Sequence, residues 1–295
     1  MQLLSLSSLT SLSPLTPPKK KKTMLKFPHA KINLGLFVTR RLENGYHVLQ
    51  TLFYPIDWCD AVEIIAEGEP GECRIVMSGI AIDGDPESNL CVKAYRRLQK
   101  LFPDLPGCVI YLKKIVPFGA GLGGGSSDGA HVLLMLREMF SLDISDADLE
   151  KEAAAMGADC AFFCRKGAQY CEGIGSEMEP YPLSLSGKHI IVVKPPFGVS
   201  TKEAYSNVKP VMPEVPLYEL LKKPVEEWKD CIVNDFEKSV FPLHPELADV
   251  KQALYDHGAI YASMSGSGSA LFGIFNEEPE GYENWFAEGY EVHKG

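Results

Sequence analysis

The chain has 295 residues, is 45% hydrophobic and 23% charged, and carries a formal net charge of −10. That usage is ordinary for a globular protein of one large domain or, better, two smaller ones sharing a cleft, and no apolar run approaches the roughly 20 residues of a membrane-spanning helix. The acidic balance argues against a nucleic-acid binder, whose phosphate contacts need clustered Lys and Arg, but not against an anionic ligand, because a local nest of backbone N–H groups binds phosphate whatever the global charge.

Residues 1–23 are rich in Ser, Leu and Pro, lack any acidic residue and contain a four-lysine run at Lys19–Lys22. A secretory signal places its charge before the apolar stretch, and here it comes after. A transit peptide stays open, although Arg is absent. The plainer reading starts the folded sequence near Met24, with the tail disordered or derived from an upstream start codon. From Ala30, apolar residues at Ile32, Leu34, Leu36 and Val38 alternate as in a half-buried strand. Glu43-Asn44-Gly45 turns the chain into a second strand, His47–Ile56. Short strands follow at Ala61–Ile65 and Glu72–Met77, then a helix at Leu90–Phe102 with Leu90, Ala94, Leu98 and Leu101 on one face. Cys108–Val116 reads as a strand, Ser127–Phe140 as an apolar helix, and Ser145 as the N-cap of a helix ending at Gly157.

The second half is less regular. Ile190–Val193 reads as a buried strand, Glu246–His257 as a helix, and Tyr261–Ser263 leads through the glycine cluster Ser265–Ser269 into a strand, Ala270–Phe275. The last twenty residues, Asn276–Gly295, carry no assignable motif. Strands and helices mixed without regular βαβ alternation predict an α+β fold. Eight scattered cysteines include no CxxC pair, which favours reduced thiols of a cytoplasmic protein over a zinc site.

The most informative stretch is Pro117, Phe118, Gly119, Ala120, Gly121, Leu122, Gly123, Gly124, Gly125, Ser126 and Ser127. Between a strand and a helix, such a loop aims free N–H groups and the positive helix end at one point, which suits a polyphosphate. Ser126 and Ser127 add hydroxyls for a phosphate oxygen or a Mg²⁺-bound water. The Walker A pattern fails because no Lys-Ser/Thr follows the last glycine. The dinucleotide fingerprint matches formally at Gly119, Gly121 and Gly124, but its acidic partner would be Glu138, inside a helix.

The loop resembles that of the galactokinase, homoserine kinase, mevalonate kinase and phosphomevalonate kinase (GHMP) superfamily. Two separated segments resemble its other motifs, Ala30-Lys-Ile-Asn-Leu-Gly-Leu36 and Gly266-Ser-Gly-Ser269. Asn44-Gly-Tyr-His47 with Leu49-Gln-Thr-Leu52, and Gly157-Ala-Asp-Cys-Ala-Phe-Phe163, resemble the 4-diphosphocytidyl-2-C-methyl-D-erythritol kinase branch. The similarity runs from about Met24 to Phe275.

It implies a two-domain kinase with its site in the inter-domain cleft, divided here as an ATP-binding domain at 24–178 and a substrate-side domain at 179–295. It also implies ATP and Mg²⁺ as co-substrates, a small cytidine diphosphate substrate, no nucleic-acid or membrane partner, and a monomer or weak homodimer. Asp159 is then the base for the attacking hydroxyl and Lys31 its electrostatic partner; read alone, the residues favour Asp159 as an N-cap of the segment after Gly157 and Lys31 as a solvated strand-edge lysine. Tyr46 and His47 would hold the cytosine, Asn33 the substrate, and Lys114 a phosphate as a mobile point charge. Phe197 is expected as a second stacking ring, and Gly266, Ser267 and Gly268 as the wall facing substrate phosphate.

Two departures stand out. Gly129 occupies a usual alanine position at a helix cost of about 1 kcal/mol, and Cys160-Ala161 replaces Val-Pro. Competing readings are another GHMP kinase (mevalonate, homoserine or sugar), a decarboxylase on the same fold, a non-catalytic ligand sensor, and, last, a dehydrogenase.

Overall fold

The computed structural model describes residues 21–82, 84–175 and 177–295. Most of the 1–23 tail discussed above lies outside them. The first elements are β1 (Thr23–Lys26), β2 (His29–Arg41), β3 (His47–Cys59), β4 (Ala61–Ala66), β5 (Cys73–Gly79), α1 (Leu90–Leu101) and β6 (Cys108–Lys114). Then come α2 (Gly124–Phe140), α3 (Asp146–Ala154), β7 (Gln169–Glu172), β8 (Glu177–Pro180), β9 (His189–Lys194), α4 (Thr201–Ser206), α5 (Leu217–Leu220) and α6 (Glu237–Val240). The chain closes with α7 (Pro245–Asp256), β10 (Tyr261–Met264), β11 (Leu271–Phe275) and β12 (Glu291–Lys294).

Three four-stranded sheets result, in the orders β1-β4-β6-β5, β2-β3-β7-β8 and β10-β11-β9-β12. The first is covered by α1, α2 and α3, whose Tyr95, Leu98, Leu133, Leu136 and Leu149 close a core on Ile64, Ile110 and Leu112. Ser145 caps α3 as its sequence predicts, its hydroxyl accepting from Asp148 N at 3.1 Å.

The expected half-buried strand is corrected. β2 is buried almost from end to end. Its Ala30, Ile32 and Leu34 face Ile190, Val192 and Phe272 of the third sheet. Its other face, carrying Lys31 and Asn33, lies under α2 and the turns at Ala158–Cys164, where Phe53, Ala130, Phe162 and Phe163 pack together. Alternation in sequence cannot report a second covering layer that is itself partly polar. A bulge at Gly35, with φ of +73°, shifts the register, and beyond it Leu36 and Val38 join the core around β9, β11 and α7.

Asn276–Gly295 also departs from expectation, since Glu291–Lys294 pairs with β9 as an edge strand. A four-residue strand on an edge needs little apolar pattern, which explains why the sequence reading missed it. Gly129 acquires a reason as well. A Cβ there would lie 2.8 Å from Leu90 Cβ, so the glycine lets α2 approach α1 closely.

Candidate active site

The glycine loop runs from the end of β6 into the first turn of α2. Gly119, Gly121 and Gly123 have φ of +64°, +75° and +71°, the left-handed region that side chains avoid. Gly121 is also sterically obligatory, because a Cβ would lie 2.0 Å from the Ser265 carbonyl oxygen. Gly123 is the N-cap of α2 and supplies no side-chain cap. The first N–H groups of the helix are therefore unclaimed by any cap, and Gly124, Gly125 and Ser126 line the adjoining cleft.

The second glycine cluster, between β10 and β11, meets this loop backbone to backbone. Ser265 Oγ donates to Gly121 O at 2.9 Å, and Ala270 N donates to Ala120 O at 3.1 Å. Asn234 holds the cluster from behind, its Nδ2 donating to Met264 O at 2.7 Å and Gly266 O at 2.8 Å.

Between the two loops lies a cleft of about 470 Å³. Of the residues singled out in the sequence, Lys31, Asn33, Pro117, Phe118, Gly119, Ala120, Gly121, Gly123, Gly124, Gly125, Ser126, Asp159, Gly266, Ser267 and Gly268 line it together. Lys31 is buried and donates to Asn33 Oδ1 at 2.7 Å and Gly121 O at 2.8 Å, while its Nζ stands 3.6 Å from Asp159 Oδ2. Asn33 in turn donates to Thr51 Oγ1 at 2.8 Å, which donates to Gly35 O at 2.7 Å, so the lysine is held by a hydrogen-bonded chain running back into the strand. Burial pushes Lys31 below the ordinary lysine range, and the Asp159 carboxylate pulls in the opposite direction. Asp159 sits inside the tight turn Ala158–Cys160, whose N-cap is Gly157, so it does not serve as the N-cap. Its side chain is 35% exposed.

Six residues fall elsewhere. Leu122 is packed in the core. Ser127 is buried with Oγ 3.3 Å from His131 Nδ1, away from the cleft that Ser126 faces. Lys114 is not the mobile charge expected: it is 2% exposed and donates to Asp60 and, at 2.8 Å, to Asp128 Oδ2. A lysine emerging from a strand into two carboxylates has no freedom left to follow a ligand. The Phe197 ring stacks on His244, with centroids 5.2 Å apart, and does not line the cleft. His47 stacks on Tyr205 at 4.9 Å, beside the cleft residue Tyr205 itself, and Tyr46 is 62% exposed on the turn before β3.

Comparison with known proteins agrees with this geometry. The family models of the GHMP kinases N-terminal domain and the GHMP kinases C-terminal region match residues 89–167 and 217–290. A 4-diphosphocytidyl-2-C-methyl-D-erythritol kinase of Bacteroides fragilis is 50% identical over 256 residues, covering 86% of this chain and 93% of its own. The chain belongs to the 4-diphosphocytidyl-2-C-methyl-D-erythritol kinase family of the GHMP kinases. It is an ATP-dependent small-molecule kinase. A crystal structure of a 4-(cytidine 5′-diphospho)-2C-methyl-D-erythritol kinase superposes with a TM-score of 0.72 at 33% identity, covering 85% of this chain and 90% of the other. The mevalonate kinase of Methanococcus jannaschii shares the fold alone, at 14% identity and a TM-score of 0.67 over 94% of this chain and 98% of its own.

Within this kinase, several residues escape sequence reasoning. Asp60 accepts from Ile115 N, Val116 N and Lys114, and so holds the chain just before the glycine loop. Asp128 is buried beside it. Burial drives its carboxyl up to about 7 against the pull of Lys114, and its Oδ1 has no partner among the described residues. The available signal was an acid inside the otherwise apolar run of α2. Tyr205 carries no such signal, because only tertiary contact brings it to the cleft, and Thr51 lies within the Leu49–Leu52 motif without a role that the residues alone assign it. A second cavity of about 510 Å³, lined by Met77, Asn89, Leu90, Leu112, Phe118, Gly125 and Asp128 among others, shares Leu90, Phe118 and Gly125 with the first.

Proposed function

We propose that this chain transfers the γ-phosphate of ATP to the 2-hydroxyl of the methylerythritol moiety of 4-diphosphocytidyl-2-C-methyl-D-erythritol, in isoprenoid precursor synthesis. The observation that carries the mechanism is the Lys31–Asp159 pair at 3.6 Å in the cleft walled by the glycine loop. On this reading, residues 24–178 bring the loop and the pair, and residues 179–295 close the cleft with Gly266, Ser267 and Gly268.

The β- and γ-phosphates lie on the N–H groups of the loop and of the α2 N-terminus. The nucleoside extends into the adjoining second cavity, which is mainly apolar with a few polar groups. The Asp159 carboxylate accepts the proton of the substrate hydroxyl as that oxygen attacks the γ-phosphorus and the bond to the ADP oxygen breaks. Lys31, held by Asn33 and Gly121, places a fixed positive charge beside the transferred group. The exposed ring of Tyr46 is free to stack on the cytosine. His47, which burial and the neighbouring Arg41 push below the usual histidine value, is neutral near pH 7 and offers a ring nitrogen to the base edge.

Mg²⁺ shields phosphate charge when bound. The cleft contributes the Ser126 hydroxyl and the Asp159 carboxylate, and no cluster of three metal-ligating side chains occurs among the described residues. That set fits a Mg²⁺ carried in on the nucleotide phosphates rather than one held in a protein cage.

The test is ADP release coupled to each acceptor in turn. Turnover with the cytidyl substrate, and a fall of at least about 10² in kcat for Asp159→Ala, the scale of a lost general base, is expected. Activity on mevalonate or homoserine without activity on the cytidyl substrate would overturn the acceptor, and full activity in the variant would overturn the base.

A further inference from the structure

The cysteines take no part in this chemistry, yet the first sheet pairs two of them. Cys73 opens β5 and Cys108 opens β6, and they are direct partners in the parallel register of those strands. Both belong to the α1-covered face: Cys108 is in the core with Ile110 and Leu112, and Cys73 packs at its rim with Ile75. Strands are spaced about 4.7–4.9 Å apart, and a disulfide spans Cα separations of about 4.4–6.8 Å. In-register residues project to the same side, so the two thiols are neighbours on one face of the sheet.

The two are unequal in the way that thiol exchange needs. β5 is an edge strand, and Cys73 is half-buried where Cys108 is 1% exposed. Hydrogen bonding between the two, with the Arg96 guanidinium near Cys73, draws the Cys73 thiol below its ordinary value and, together with burial, pushes the Cys108 thiol up, which makes Cys73 the attacking member of the pair. Arg96 is anchored there by a 2.6 Å hydrogen bond to Gly71 O. Burial pushes Cys91, Cys160, Cys164 and Cys171, and also Cys59, the other way. A reactive thiolate is the attacking species in exchange.

We propose that Cys73 and Cys108 form a thiol–disulfide exchange site for a small oxidised disulfide of the glutathione type. The Cys73 thiolate attacks one sulfur of the oxidant, forming a mixed disulfide and expelling one glutathione thiolate. Cys108, giving its proton to the glutathione thiolate already expelled, attacks Cys73 Sγ, breaks the mixed disulfide and expels the second glutathione. The protein pair is oxidised by two electrons, and one glutathione disulfide is reduced to two thiols. The bond ties the edge strand, whose Ile75 and Met77 line the second cavity, to β6.

The experiment incubates the full chain with oxidised glutathione, blocks remaining thiols with N-ethylmaleimide and maps peptides by mass spectrometry without reduction. The expected result is a Cys73–Cys108 cross-link, a fall from eight titratable thiols to six as the pair is consumed, and reversal by dithiothreitol. Cys108→Ser should stop at a glutathione adduct on Cys73. Because Cys108 is buried, Cys73→Ser serves as the second variant, and it should keep all its remaining thiols. Retention of eight thiols in the parent, a Cys73 adduct that never resolves, or a cross-link between other cysteines would each overturn the proposal.

Discussion

Two lysines stand beneath the glycine loop, and their partners set them apart. Lys114 lies between Asp60 and Asp128, with all three side chains at most 3% exposed. Lys31 faces a single carboxylate at 3.6 Å, and that carboxylate is 35% exposed to the cleft. The first arrangement is closed to solvent: the lysine is answered on two sides inside the protein, and its effect is to hold the strand that launches the loop. The second is incomplete without a ligand. A charge left partly unanswered at a cleft wall has interaction energy to give to a transition state, whereas a fully paired one does not.

The largest effect should come from breaking the closed cluster. Lys114→Ala leaves Asp60 buried without its counter-charge, and unfolding by urea should show a loss of about 3–5 kcal/mol. A loss below about 1 kcal/mol would mean the cluster is not structural. Asp128→Asn sharpens the same point through pH. The folded carboxyl titrates near 7 against 3.8 when free, so the folded state keeps a proton that the unfolded state has released. That contribution is full below the free value and is lost as pH rises through the folded one, at up to about 1.4 kcal/mol per pH unit. The stability of the parent relative to the variant should therefore decline from pH 4 to pH 7, and a flat difference would refute the protonated carboxyl.

Gly129→Ala gains about 1 kcal/mol of helix propensity, but its Cβ would press on Leu90 at 2.8 Å. Overpacking of about 1–3 kcal/mol should win, leaving a net loss near 1 kcal/mol by thermal or urea unfolding. The mildest test concerns Lys31. Since burial lowers its value below 10.5, kcat should fall on the alkaline side before an ordinary lysine would titrate, and Lys31→Arg should move that limb upward. A profile unchanged to pH 10.5 would remove the lysine charge from the mechanism.

Much of the site was legible in the residues. Ser145 as a cap, α1, α2 and α7 within a few residues, and the glycine loop running into the uncapped α2 N-terminus all follow from local rules of capping, periodicity and glycine dihedrals. The separated motifs around Lys31, Asp159 and Gly266 named the family before any contact was known. What local reading missed shares a cause: Lys114 looked mobile because Asp60, more than fifty residues earlier, is its partner. Phe197 looked like a stacking ring because His244 was not in view. Short edge strands such as β12 were invisible because four residues carry too little periodicity.

Local sequence decides the shape of the glycine loop and of the helix end it runs into, because glycine spacing and helix ends act over a few residues and need nothing distant. It also determined that an acid and a lysine of the family motifs would be present. Long-range packing settles which lysine is held near a part-exposed acid and which is locked away. Charge pairing depends on where remote strands deliver their side chains and on how much water remains there, and neither is a property of any local stretch.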